Sequence, residues 1–142
     1  MSYAGNIHAP EAWDLLKSNA DAQLVDVRTA AEWTFVGVPD LSLIGRKVIL
    51  VEWQTFPAMG RNPQFETAVA EQLKAVGASK DTPVAFLCRS GGRSQAAATA
   101  MAAVGFSKCF NVAGGFEGDL YPLRHRGEAN GWKSSGLPWV QT

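Results

Sequence analysis

The sequence predicts an α/β fold built around a mainly parallel sheet, and three observations lead to it. Short apolar, valine-rich runs recur along the chain, runs with helical spacing of apolar residues lie between them, and glycines stand where two of the helical runs stop. Such alternation returns each strand to the same direction through a helix. Functional groups then gather beyond the carboxyl ends of the strands.

The first helical run covers residues 9–18. Pro10 sits at an early helical position, Glu11 supplies an acid to the first turn, and Ala12, Leu15 and Leu16 fall on one face. Residues 23–28, with Leu24, Val25 and Val27, read as the first buried strand, and 47–53, 83–88 and 109–113 read as three more. Between the second and third of these, residues 62–77 place Phe65, Val69, Leu73 and Val76 at helical spacing and end on Gly77. Between the third and fourth, the alanine-rich stretch 93–105 is a strong helix former ended by Gly105. From Gly118 to Gly136 glycine, proline, charge and tryptophan occur without a period. That stretch reads as an irregular excursion, with Gly127 to Trp139 packing back on the body.

A chain of 142 residues fits one domain, expected over 5–141. Its 13 basic and 13 acidic residues cancel, so no global field draws it to nucleic acid or to a membrane surface, and any anion site must be local. Neither a spanning apolar stretch of about 18 residues nor a secretory leader pattern is present, which leads to a cytoplasmic expectation. Two cysteines, Cys88 and Cys109, are too few for a disulfide scaffold. His8 and His125 stand in no ligand spacing with them, so neither a metal nor another cofactor is expected.

Cys88 ends a strand and is followed by Arg89, Ser90, Gly91, Gly92, Arg93 and Ser94, where the alanine-rich helix begins. The two glycines permit backbone conformations in which successive N–H groups turn toward one centre. The positive end of the following helix adds to them. Arg89 and Arg93 supply charge for an anionic substrate, and Ser90 and Ser94 supply hydroxyls, with Ser94 also placed to cap the helix. Such surroundings favour the thiolate, which is the nucleophile, and hold a negatively charged covalent intermediate without a neighbouring histidine. A buried packing residue would not require that loop. Cys109, which begins a strand and has no such cradle, is expected to be packing.

In order along the chain stand Asp26, Val27 and Arg28 with Glu32 and Trp33, then the Cys88-to-Ser94 loop, then Asn111 to Phe116 with Gly114 and Gly115, then Gly136 to Trp139. Together they resemble the rhodanese homology domain over nearly the whole chain. The resemblance implies a five-stranded, mainly parallel sheet flanked by helices and a ping-pong sulfur transfer in which Cys88 cycles through a persulfide. It implies that residues 89 to 93 hold the terminal sulfur, and that Arg89 and Arg93 steer a donor such as thiosulfate. The acceptor would be a thiol, cyanide or a carrier protein's cysteine. Asp26, Arg28 and Glu32 become supporting residues: Asp26 bonded to groups near the loop, and Arg28 paired with Glu32.

The chain departs from relatives in reading Val36-Gly37-Val38-Pro39 where many carry a histidine, so no role for that histidine transfers. The aromatic segment 53–62, with Trp53, Phe56 and Met59, and the segment 120–130 are the candidates for shaping a substrate pocket. Two rivals follow. A cysteine phosphatase or arsenate reductase also uses a cysteine-to-arginine loop, but with one residue more than the four between Cys88 and Arg93, giving a ring wide enough for a tetrahedral phosphate. A non-enzymatic regulatory module of the same fold would not need the cysteine with both arginines.

Overall fold

The computed structural model describes residues 3–55, 60–89, 91–117 and 131–141. The chain opens with strand β1 (Gly5–His8) and helix α1 (Ala9–Ser18), then β2 (Gln23–Asp26), the short helix α2 (Ala30–Val36) and β3 (Val38–Pro39). A 3-10 turn over Ser42–Ile44 leads to β4 (Ile49–Leu50), the ribbon strands β5 (Gln54–Thr55) and β6 (Gly60–Arg61), and helix α3 (Phe65–Ala75). Strand β7 (Val84–Leu87), helix α4 (Gly92–Ala103), β8 (Cys109–Ala113) and β9 (Trp139–Val140) complete the described order.

Five strands form one parallel sheet in the order β1-β8-β7-β2-β4. The α/β expectation therefore holds, and the fifth strand is β1, which the residue pattern did not announce. Only Ile49–Leu50 of the run at 47–53 enters the ladder. The remainder leaves the sheet, and Val51 and Trp53 bond instead to the carbonyls of Asp26 and Val27.

Because successive strand residues face opposite sides, each strand feeds two cores. On one face Val25, Val84, Phe86 and Cys88 pack with Phe65, Val69 and Leu73 of α3 and with Ala97, Ala98 and Met101 of α4. On the other, Leu24, Ala85, Leu87 and Val112 pack with Ala9, Ala12 and Leu16 of α1, and with Phe116 and Trp132. Burying each of the large aliphatic and aromatic side chains contributes roughly 1.5–3 kcal/mol, so the strand ends that carry the site rest on a rigid base. Among the described residues no helix is long and apolar enough to cross a membrane.

The candidate active site at Cys88

Cys88 and Arg89 follow the carboxyl end of β7, and Gly91 is the N-cap of α4. Gly91 adopts φ +122°, a region that side chains strongly disfavour, and this turns its N–H onto Cys88 Sγ at 3.0 Å. Ser94 Oγ lies 3.2 Å from the same sulfur. Ser94 is the third residue of α4 rather than its cap, so the expected capping role is corrected: its hydroxyl faces inward, where the thiol is. Ser90 lies outside the described residues, as do Phe56, Met59 and the 120–130 segment.

A second turn supports the loop from below. After β8 the chain reverses at Gly114 and Gly115, and the N–H groups of Phe116 and Glu117 donate to the carbonyls of Cys88 (2.8 Å) and Arg89 (3.0 Å). With its carbonyl held there, the planar 88–89 peptide must point the Arg89 N–H away from that turn. A Cβ on Gly115 would stand 2.4 Å from the Cys88 carbonyl oxygen and 2.7 Å from Arg89, and φ is +60°, so only glycine fits this close approach.

Electrostatics around the loop differ from the expectation in two places. Arg93 makes a bidentate pair with Glu32 at 2.7 and 2.9 Å, reaching back to α2 rather than outward. Arg28 does not pair with Glu32: its guanidinium binds Asp26 (Nη2 to Oδ2 2.6 Å, Nε to Oδ1 2.9 Å), donates to the Gly37 carbonyl at 2.7 Å and lies 4.2 Å over the Phe116 ring. Among the described residues Asp26 accepts from the Arg28 backbone N–H and guanidinium, and not from groups of the Cys88 loop. The reason is geometric, since Asp26 and Arg28 flank the end of β2 and point to one side of the sheet, both fully buried, while Glu32 is one helical turn further on. A buried pair of this kind is retained because either partner alone would be a buried uncompensated charge.

Helix α2 is thereby fixed at both ends. Thr29 and Glu32 form a capping box at its start, and the carbonyls of Phe35, Val36 and Gly37 at its end accept from Gln141, Lys133 and Arg28. Burial alone would push the Glu32 carboxyl up, but the Arg93 guanidinium and the Thr29 N–H and hydroxyl outweigh it and hold it below its usual value. Arg89 is exposed and has no side-chain partner among the described residues.

A connection that sequence reasoning missed runs through Asn111. Its Oδ1 is 2.5 Å from Ser94 Oγ, and its Nδ2 donates to Asn6 Oδ1 at 3.0 Å, which also accepts from Tyr3 Oη. The available signal was a lone Asn in an apolar strand. Beside the loop, Trp53, Arg61, Gly92, Gln95 and Thr99 line an open groove of about 540 Å³. Trp53 meets Phe65 edge-on at 4.9 Å and carries the Arg61 guanidinium 4.4 Å above its ring. Trp53 thus packs against Phe65 while it lines the groove.

Cys109 begins β8 at the opposite end of the sheet from the loop. It is buried, and burial raises its thiol to about 11. Its described hydrogen bond is a long one, 3.5 Å to the Phe106 carbonyl. Among the described residues no group of three or more His, Cys, Asp and Glu side chains converges as a metal site would.

The parallel five-stranded sheet with a cysteine loop between β7 and α4 defines a rhodanese-like fold. Within that class the chain belongs to the STR4 middle domain family, whose model matches residues 4–142. It is 39% identical over 134 residues to the protein RC0915 of Rickettsia conorii, covering 94% of this chain and 95% of that one. It is 26% identical over 134 residues to the rhodanese-like domain-containing protein 4, chloroplastic, of Arabidopsis thaliana, a match that spans 94% of this chain and 25% of that protein. The crystal structure of Rv0390 from M. tuberculosis superposes with a TM-score of 0.89 at 46% identity, covering 99% of this chain and 100% of that chain. The solution structure of a polysulfide-sulfur transferase homodimer from Wolinella succinogenes shares the fold, with a TM-score of 0.61 at 21% identity over 96% of this chain and 78% of that one. These relatives point to the rhodanese-like, sulfurtransferase-type domain as a class, not to a thiosulfate-specific family.

Proposed function

We propose that the domain, working as one unit over 5–141, moves sulfane sulfur from an anionic donor to a thiophilic acceptor through a persulfide on Cys88. The observation that carries this reading is the Gly91 N–H aimed at Cys88 Sγ from the head of α4, on a loop whose Cys88 and Arg89 carbonyls are turned away to Phe116 and Glu117. With thiosulfate as donor, the Cys88 thiolate attacks the outer sulfur, the donor's S–S bond breaks, and sulfite leaves with the electron pair. The new persulfide is anionic at its terminal sulfur, where loop amides and the helix end are suited to hold it. An acceptor such as cyanide or a thiolate then takes that sulfur and returns the Cys88 thiolate. With Arg93 engaged by Glu32, the exposed Arg89 is the loop's cation for the donor.

The similarity to a rhodanese-like domain supports this chemistry, and the four residues between Cys88 and Arg93 favour a sulfur atom over a tetrahedral phosphate. The test is steady-state turnover of thiosulfate with cyanide beside aryl phosphate hydrolysis. Thiocyanate should form with ping-pong kinetics, Cys88→Ser should abolish it, and no phosphate should be released. Phosphate release without sulfur transfer from either thiosulfate or mercaptopyruvate would overturn the proposal.

A further inference from the structure

Ser94 has one hydroxyl proton and three acceptors around it: Cys88 Sγ at 3.2 Å, the Gly91 carbonyl at 3.2 Å and Asn111 Oδ1 at 2.5 Å. Two oxygens that close share a proton, because two bare acceptors at such a distance repel. Asn111 cannot turn its amide round without losing the bond from its Nδ2 to Asn6 Oδ1, and Tyr3 Oη donates to that same oxygen. With Asn6 presenting its Oδ1, Asn111 gives its Nδ2 to Asn6 and turns its Oδ1 to Ser94. Ser94 and Asn111 are both buried, so water does not replace whichever bond is broken.

We infer that Asn111 is a positioning residue that competes with Cys88 for the Ser94 proton, and so sets the balance between the free and the sulfur-loaded enzyme. This rests on the persulfide reading above. In the free thiolate the charge is on Sγ, and Ser94 serves it best by turning its proton there, at the cost of the short bond to Asn111. Once sulfur is bound, Sγ is a neutral bridging atom and the charge has moved to the terminal sulfur. Ser94 then returns its proton to Asn111. The short bond to Asn111, present here beside an unmodified Cys88, is given up only to the charged thiolate and regained in the loaded state, and so it draws the equilibrium toward that state. No proton leaves the site in this exchange; one hydroxyl rotates.

The charged and titratable groups around Cys88 are Arg89 beside it, Arg93 with Glu32 from α4 and α2, Asp26 with Arg28 at the end of β2, and Tyr3 at the far end of the chain of bonds. All are kept in the variants compared. The experiment is intact mass spectrometry of the protein equilibrated at a fixed thiosulfate-to-sulfite ratio. In parallel, on a Cys109→Ala background that leaves Cys88 as the one thiol, the ultraviolet absorbance of the Cys88 thiolate is followed against pH.

Asn111→Val removes the competing acceptor. It should lower the ratio of loaded to free enzyme about fivefold, and the thiolate absorbance should develop at lower pH. Ser94→Ala should move both in the opposite direction, and Asn111→Val added to Ser94→Ala should change nothing further. Asn6→Ala, on the edge strand, should give a smaller shift in the direction of Asn111→Val, and it keeps the test open if the core substitution does not fold. Shifts that persist without the Ser94 hydroxyl, or no shift in any single variant, would overturn the inference. Absence of the sulfur adduct from every variant and from the parent would instead overturn the sulfurtransferase reading, and the absorbance titration would still decide the coupling of Asn111 to Ser94.

Discussion

Cys88 and Cys109 are buried to the same degree, each 1% exposed, and they sit on neighbouring strands of one sheet. What separates them is what reaches the sulfur. Cys88, past the carboxyl end of β7, receives the Gly91 N–H and faces the Ser94 hydroxyl. Cys109, at the amino end of β8, meets apolar side chains and a distant carbonyl. Burial without donors penalises the thiolate, and this is what lifts Cys109 to about 11. In a parallel sheet the two ends are not equivalent: helix N-termini and turn amides collect only at the carboxyl end. The contrast teaches that two thiols at equal depth can differ entirely in the donors that reach the sulfur.

The largest effect should come from exchanging the cysteines' roles in turn. Cys88→Ser should remove sulfur transfer entirely, while Cys109→Ala should leave turnover within about twofold, as expected for trimming a thiol that stays protonated at neutral pH. Steady-state assays on both proteins make the comparison, and a large loss in Cys109→Ala would break it.

Next is the frame behind the loop. Asp26→Asn leaves the Arg28 guanidinium buried without its counter-charge and should cost about 3–5 kcal/mol in urea unfolding, since a buried pair broken on one side loses more than the pair was worth. Gly115→Ala should cost roughly 2–4 kcal/mol, combining a left-handed backbone with a clash against the Cys88 and Arg89 backbone. Because the clash falls on the loop, it should lower turnover more than it lowers the stability of the β8 end around Cys109, which hydrogen exchange can read residue by residue.

The smallest effect concerns the link between α2 and α4. The Glu32 carboxyl titrates below its ordinary value in the folded protein, so its pair with Arg93 adds stability that is complete above about pH 4.5. That stability is lost as pH falls through the lowered value. Glu32→Gln should therefore cost on the order of 1 kcal/mol at neutral pH and flatten the acid limb of the stability profile, measured by denaturation midpoints between neutral and acid pH.

Much of this frame was legible in the chain. Pro10 and the glycines at 77 and 105 marked helix boundaries closely, and the glycine pair after Cys88 announced the cradle. Strand β1 was hidden because Gly5 to His8 is an edge strand with alternate residues exposed, so it lacks the apolar run of a central strand. Helix α2 was hidden because Trp33, Thr34, Phe35 and Val36 favour strands. Its Thr29 and Glu32 capping box, spaced as such boxes are, was the signal that outweighed them. The partners of Arg28, Glu32 and Arg93 were not legible, since all three lie near one another and only the fold decides which carboxylate faces which guanidinium. Asn111 needed the register of β8 against β1 and its packing on α4, a tertiary fact with no local trace.

The most direct measurement is peptide mapping by mass spectrometry after brief incubation with thiosulfate under non-reducing conditions. One added sulfur atom on the peptide that contains Cys88, with none on the peptide that contains Cys109, is the predicted result. Sulfur on Cys109, or on neither cysteine with any anionic sulfane donor, would contradict the account.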